Sequence, residues 1–167
     1  MKRRTLIKSL LALPLGFGVL QSALAAPGPL RVGLDVCPYC NMTLLDARYA
    51  AQMVSSTGKV YNYDDVGCLL DHLLGYGGPK VSPKELYVAD FARSERREVR
   101  FVPANQAFFL FNELIRTPMG VGLLAFSSAT ALEDYLKERP QHAGEKLRWN
   151  ELMTRGRKQA WVPGYGR

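Results

Sequence analysis

The pattern that most limits the fold is an apolar stripe on residues 66–74, because of what stands on either side of it. Val66, Leu69, Leu70, Leu73 and Leu74 recur at i, i+3, i+4, i+7 and i+8, one face of a helix with a 3.6-residue period. Asp64 or Asp65 can cap its start, and the glycines at 75, 77 and 78 followed by Pro79 stop it. Two strand-like runs precede it, 50–54 and 60–63, turned at residues 56–59. Residues 86–91 read as a closing strand.

The same order then returns. Residues 107–111 are a strand-like run, residues 117–120 supply turn chemistry, and 122–126 read as a buried strand. Ser127 or Ser128 can cap a helix through Leu132, Tyr135 and Leu136, and 146–149 make a weaker final strand. The pattern predicts an α+β fold of two related ββαβ halves, about 32–95 and 96–155, with helices packed on largely antiparallel sheet. Residues 138–146 and the tail after Met153 read as loop or carry no assignable element.

The first 25 residues look different from the rest. A basic start (Lys2, Arg3, Arg4, Lys8), a short apolar run from Leu10 to Leu20 and an Ala23-Leu24-Ala25 end describe a cleaved export signal rather than a membrane span. The Arg3-Arg4 pair followed by Thr5-Leu6-Ile7-Lys8 resembles a twin-arginine signal, which exports folded proteins. No cysteine lies near the cleavage point to carry a lipid anchor, so residues 26–167 are expected to form one soluble periplasmic domain. Four of the 22 basic residues and no acids fall within 1–25, so the formal charge of +7 drops to +3 on cleavage. That is too small to argue for nucleic acid. Arg93, Arg96, Arg97 and Arg100 are interrupted by Glu95 and Glu98 and read as a solvated turn.

Chemistry concentrates in Asp35-Val36-Cys37-Pro38-Tyr39-Cys40-Asn41-Met42, which holds two thiols and a thioether within six residues. Soft sulfur donors favour Cu(I) over harder ions. In an extended segment, Cys40 and Met42 would point to the same side, and a flexible Met can swing its sulfur toward a thiolate. Met119, in the Pro118-Met119-Gly120 turn, is either a third sulfur ligand or a turn residue packed on the core. Met53 and Met153 read as core packing or chance. Cys68 and His72 stand i, i+4 on the first helix, a spacing that can share a metal, but the wheel places them away from the Leu stripe, on a solvated face.

The three cysteines also permit a second reading. Cys37-Pro38-Tyr39-Cys40 has the spacing of a dithiol redox site, as an exported thiol–disulfide oxidoreductase would use. That site needs a strand directly before the motif and a long helix directly after it. Here strand-like sequence follows at once, so any helix after the motif is short. A c-type haem is excluded by Asn41, where histidine is required.

An export signal, a C-x-M end on residues 35–42, an aromatic strand before a capped helix, and Thr117-Pro118-Met119-Gly120 ahead of an apolar strand together resemble the NosL family. The resemblance runs over about residues 32–135. It implies a non-enzymatic periplasmic Cu(I) chaperone built from two ββαβ halves. Its partners would be apo nitrous oxide reductase or the membrane-bound complex that matures the reductase's copper–sulfide centre during denitrification. Carried over by position, the copper ligands are Cys40, Met42 and Met119, with Cys37, Cys68 and His72 as further candidates. The family commonly has Gly where this chain has Asn41, a residue that also tolerates unusual backbone angles.

Overall fold

The computed structural model describes residues 26–165. The export signal read on residues 1–25 therefore lies outside the described residues. Four strands form the first sheet: β1 (Ala51–Ser55), β2 (Val60–Tyr63), β3 (Pro83–Ala89) and β4 (Phe101–Pro103), in the order β2-β1-β3-β4 with every pair antiparallel. The second sheet holds β5 (Phe108–Phe111), β6 (Leu123–Phe126) and β7 (Glu145–Leu147), in the order β6-β5-β7 and again antiparallel.

Helix α1 (Val66–Leu73) links β2 to β3, and α2 (Ala129–Glu138) links β6 to β7. In each half the helix carries the chain over the first strand to that strand's far edge. The two ββαβ halves are thus present with equivalent strand order. Asp65 caps α1, its carboxylate accepting from the Gly67 amide at 2.9 Å, and Ser128 caps α2, its hydroxyl accepting from the Ala131 amide at 3.1 Å. Each satisfies one of the amides that a helix start leaves without an intrahelical partner.

Two elements escape the sequence pattern. Strand β4 is only three residues long, too short to show alternation, and adds an edge to β3. Helix α3 (Trp149–Gly156) begins where the last strand was expected to end. Beyond it, the Trp161 and Val162 amides donate to the Asp71 carboxylate at 2.8 and 2.9 Å, and the Tyr39 hydroxyl reaches the same carboxylate at 3.3 Å. The tail read as loop is therefore strapped to α1.

That strap helps explain a larger departure. Every residue of α1 from Val66 to His72 is buried, so the helix has no solvated face. It lies against β1 and β2 on one side and against β6 and α3 of the second half on the other. Gly67 makes the approach possible: a Cβ there would fall 2.5 Å from a methyl of Val121. Cys68 and His72, read as surface residues, are core residues because a second layer covers the side the wheel assigned to water. The arginines at 93, 96, 97 and 100 are exposed, as a solvated turn requires.

Candidate metal centre

The sulfur segment folds as a hairpin. Val36 bridges Thr43 in antiparallel register, the Cys37 amide donates to the Met42 carbonyl at 2.9 Å, and the Leu44 amide donates to the Asp35 carbonyl at 3.0 Å. Residues 38–41 make the turn, closed by the Asn41 amide donating to the Cys37 carbonyl. Asn41 has φ of +61°, and among the described residues it alone of the non-glycines lies in this left-handed region. The position thus uses the conformation that Gly or Asn best tolerates.

This turn corrects the extended geometry expected of Cys40-Asn41-Met42. The left-handed residue turns the chain between the two sulfurs, so Cys40 faces inward at 7 % exposure while Met42 stands out at 46 %. Leu34, Val36 and Leu45 on the outer face are exposed, whereas Cys37 and Leu44 on the inner face are fully buried. After residue 45 the chain makes only a single 3-10 turn, Ala47–Tyr49, before β1. The long helix that a dithiol redox site needs after its second cysteine is not present.

Under the hairpin lie Cys37, Cys40, Asp64 and Cys68, with one ligand atom from each lying within 4.8 Å of the others. All four are buried and all three thiols are free. The Cys40 thiol donates to one oxygen of Asp64 at 3.2 Å. The other oxygen, Oδ2, is buried and has no partner. The thiols differ in acidity. A hydrogen bond from Cys68 holds Cys37 below the ordinary thiol range, while Cys68 is pushed upward because its own proton is held in that bond to Cys37 and because it is buried. Burial, reinforced by Cys37 and Asp64, pushes Cys40 up to about 12. Cys37 is thus the thiol most ready to become a thiolate, and the others lose their protons when a cation replaces them.

Met119 is brought to the same helix start by its backbone. Its amide donates to the second oxygen of Asp65 at 3.0 Å, and burial pushes Asp65 up to about 6. One carboxylate therefore caps α1 and tethers the Pro-Met-Gly turn beside it. Gly120, with φ of +68°, completes that turn, and the Met119 side chain is half-buried against the core. Met53 is fully buried and Met153 packs against the same core, as read.

His72 stands apart from the sulfur cluster in its bonding. Its Nε2 meets the Pro79 carbonyl at 2.6 Å, which makes that nitrogen a donor, and its Nδ1 meets the Tyr63 hydroxyl at 2.7 Å. Both ring nitrogens are engaged, so His72 fixes the end of α1 rather than offering a lone pair to a metal. Asp64 is the residue the sequence reading missed as a donor. The available signal was the Asp64-Asp65 pair: one helix start needs one capping carboxylate, and the second is left for something else.

A family model described as NosL matches residues 33–155. Among solved structures, the crystal structure of the copper chaperone NosL from Shewanella denitrificans superposes with a TM-score of 0.61 and 23 % identity, over 74 % of this chain and 93 % of that one. At that identity the likeness speaks to the fold, which is the paired-half architecture described above. No curated protein matches the chain. Because the family model spans most of the sequence and the solved structure shares its architecture, the chain belongs to the NosL family.

Proposed function

We propose that the protein is a periplasmic Cu(I) carrier, not an enzyme, that binds copper through the Cys40 thiolate and the Met42 and Met119 thioethers. The observation that carries this is the pairing of an inward Cys40 with an outward Met42 across left-handed Asn41. A carrier must hold Cu(I) away from water and still let an acceptor's sulfur displace its ligands in turn. An exposed thioether on a hairpin tip is the ligand that an incoming donor reaches first, and a buried thiolate is the one released last. The soft, uncharged thioethers suit Cu(I) and discriminate against harder ions.

Family membership and the copper chaperone from Shewanella denitrificans support the choice of copper. The acceptor we propose is the one the sequence resemblance implies, apo nitrous oxide reductase or its membrane-bound maturation complex. Residues 1–25 would direct the chain to the periplasm and be removed. Among the described residues no helix is long and apolar enough to cross a membrane, in keeping with a carrier that diffuses between its donor and its acceptor.

The test is an anaerobic Cu(I) titration of the reduced protein against a chromophoric chelator, with Met42→Leu beside wild type. Leu keeps the bulk of an exposed residue and removes the sulfur, so folding should be unchanged. One Cu(I) per chain, held at least about tenfold less tightly by Met42→Leu, is the expected result. Equal affinity in the two proteins would refute the Cys40–Met42 site.

A further inference from the structure

The outer face of the sulfur hairpin takes no part in the chemistry beneath it, yet it is unusual in what it exposes. Of the six large apolar side chains that stand exposed among the described residues, four fall within residues 34–45: Leu34, Val36, Met42 and Leu45. Leu34 is 71 % exposed and Leu45 is 62 % exposed. Local bonding gathers them. Val36 bridges Thr43, and the Gly33 amide donates to the Leu44 carbonyl at 2.7 Å, which holds the turn carrying Leu34 against the residue before Leu45. Apolar side chains concentrated in this way on a protein surface mark a place where something docks.

A basic turn adjoins them. Ala47, two places after Leu45, donates its amide to the Arg96 carbonyl at 3.0 Å. The Arg48 guanidinium lies 5.6 Å from the ring centroid of Phe91, where that turn begins. Arg93, Arg96 and Arg97 are exposed, and among the described residues none of them makes an ion pair, while Glu98 is taken by Arg100. The turn therefore offers three free cations against one free acid, Glu95. On the hairpin side the acids are already neutralised, Asp35 by Arg31 at 2.9 Å and Asp46 by Arg48 at 2.6 Å.

We infer that this face docks the protein reversibly on a membrane surface rich in anionic phospholipid. Leu34, Val36 and Leu45 enter the interface, and Arg93, Arg96 and Arg97 meet the headgroup phosphates. Each contribution is weak alone: a few aliphatic side chains gain only a marginal hold on a bilayer, and cations in water feel its charge only within a Debye length. Side by side they reinforce one another, because apolar entry brings the cations to where the surface potential is strongest. The charge pattern fits that partner, since a negative surface attracts the arginines and meets no bare carboxylate on the hairpin. The shape fits as well. Aromatic anchors are enriched at protein interfaces, whereas this face offers aliphatic tips and long cationic arms, which suit a surface without fixed relief. Docking stands on these residues alone; only its use rests on the Cu(I) reading above. Met42 lies on the same hairpin, so a docked carrier would search for a membrane-bound acceptor in two dimensions with its copper end already at the surface.

The test is co-sedimentation of protein recovered from the periplasm with extruded vesicles, either pure phosphatidylcholine or phosphatidylcholine mixed with phosphatidylglycerol. Wild type should pellet with the anionic vesicles, stay in solution with the neutral ones, and be released by added salt. Replacing Arg93, Arg96 and Arg97 together by Gln should weaken binding at least about tenfold, and so should Leu34→Ser combined with Leu45→Ser, at least about tenfold. All five positions are exposed, so thermal midpoints should stay at the wild-type value. Arg157→Gln with Lys158→Gln, in the turn after α3, should bind as wild type. Emission of Leu45→Trp should shift to the blue on adding anionic vesicles, while that of Leu114→Trp, an equally exposed position in the second half, should not. Any contribution of residues 1–25 is common to every variant and cancels in the comparison.

Wild type that ignores anionic vesicles would overturn the docking, as would wild-type binding by either the arginine or the leucine variant. An unshifted Leu45→Trp emission would do the same. Equal losses from the Arg157 and Lys158 changes would overturn it too, by assigning the attraction to net charge rather than to this face. Capture by immobilised poly-glutamate without vesicle binding would give the face to an acidic protein and refute the lipid assignment. No sample contains copper, so failure here leaves the Cu(I) carrier standing, and failure of the Cu(I) titration leaves the docking standing.

Discussion

The two halves of the molecule share a frame and differ in what the frame holds. Counting from each capping residue, Cys68 of α1 corresponds to Ala131 of α2, Asp71 to Asp134 and His72 to Tyr135. Even a tyrosine–histidine hydrogen bond occurs in both: Tyr63 to His72 at 2.7 Å in the first half, Tyr135 to His142 at 2.5 Å in the second. Yet α1 is buried over nearly its whole length, whereas only Leu132 and Tyr135 of α2 are buried. One half has been enclosed and loaded with sulfur and carboxylate; the other keeps an ordinary surface helix. The difference teaches that the site is made by enclosure. The same ββαβ unit without a second layer over its helix could not have dehydrated three thiols and a carboxylate.

Paired substitutions at corresponding positions test that contrast. The largest difference is expected at Asp71 and Asp134. Asp71 is fully buried and accepts from two tail amides and the Tyr39 hydroxyl, whereas Asp134 is exposed and meets only Lys137. Hydrogen bonds to a charged group contribute about 1.5–3 kcal/mol each, so Asp71→Ala should cost about 3–5 kcal/mol in urea denaturation. Asp134→Ala should cost under about 0.5 kcal/mol. Similar losses at both positions would mean that α1 is not anchored through its carboxylate.

The two caps come next. Asp65→Ala removes the bond to Gly67 and also frees the Met119 amide, while Ser128→Ala removes only the bond to Ala131. A loss of about 2–3 kcal/mol is expected for Asp65→Ala against about 1 kcal/mol for Ser128→Ala. Amide exchange at Met119 should quicken in the first variant alone. The last comparison is at Gly67 and its counterpart Thr130. An added methyl at Gly67 meets Val121 at 2.5 Å and should cost about 1–3 kcal/mol through overpacking. Thr130→Ala, on an exposed turn, should be neutral or slightly stabilising. Thermal denaturation of the four proteins decides it, and a harmless Gly67→Ala would mean that the halves do not press together at α1.

The elements legible in the sequence were those whose side chains repeat a period. The Leu stripe of α1, the capping Asp65 and Ser128, the aromatic β2 and the Phe-rich β5 all announce themselves locally, and the repeated order exposed the two halves. Residues whose role depends on a distant neighbour stayed hidden. Cys68 looked solvated because a helical wheel shows one stripe and cannot show that β6 and α3 cover the opposite side. Asp71 gave no sign that residues 161 and 162 would come to it. Asp64 was passed over because its neighbour already explained the pair. Cys40 and Met42 were read from an extended segment, yet one is buried and the other exposed, since a single left-handed residue is invisible to a pattern of alternation. The positive φ at Asn41 was nonetheless foreseeable from the residue type.

The strap on Asp71 bears on the order in which this chain matures. Its donors stand 90 and 91 residues downstream of the carboxylate, so α1 is locked only after nearly the whole chain has been synthesised. Contacts of such separation close late, after local hairpins and helices have formed. Until then Cys68 and the two hairpin cysteines are exposed together. A chain delivered unfolded to an oxidising compartment would live through that interval with three reactive thiols uncovered. A chain that finishes folding in the reducing cytosol would arrive with them already sealed. For a chain exported as its first 25 residues lead one to expect, timing of burial relative to translocation would decide how many molecules arrive able to bind a metal at all.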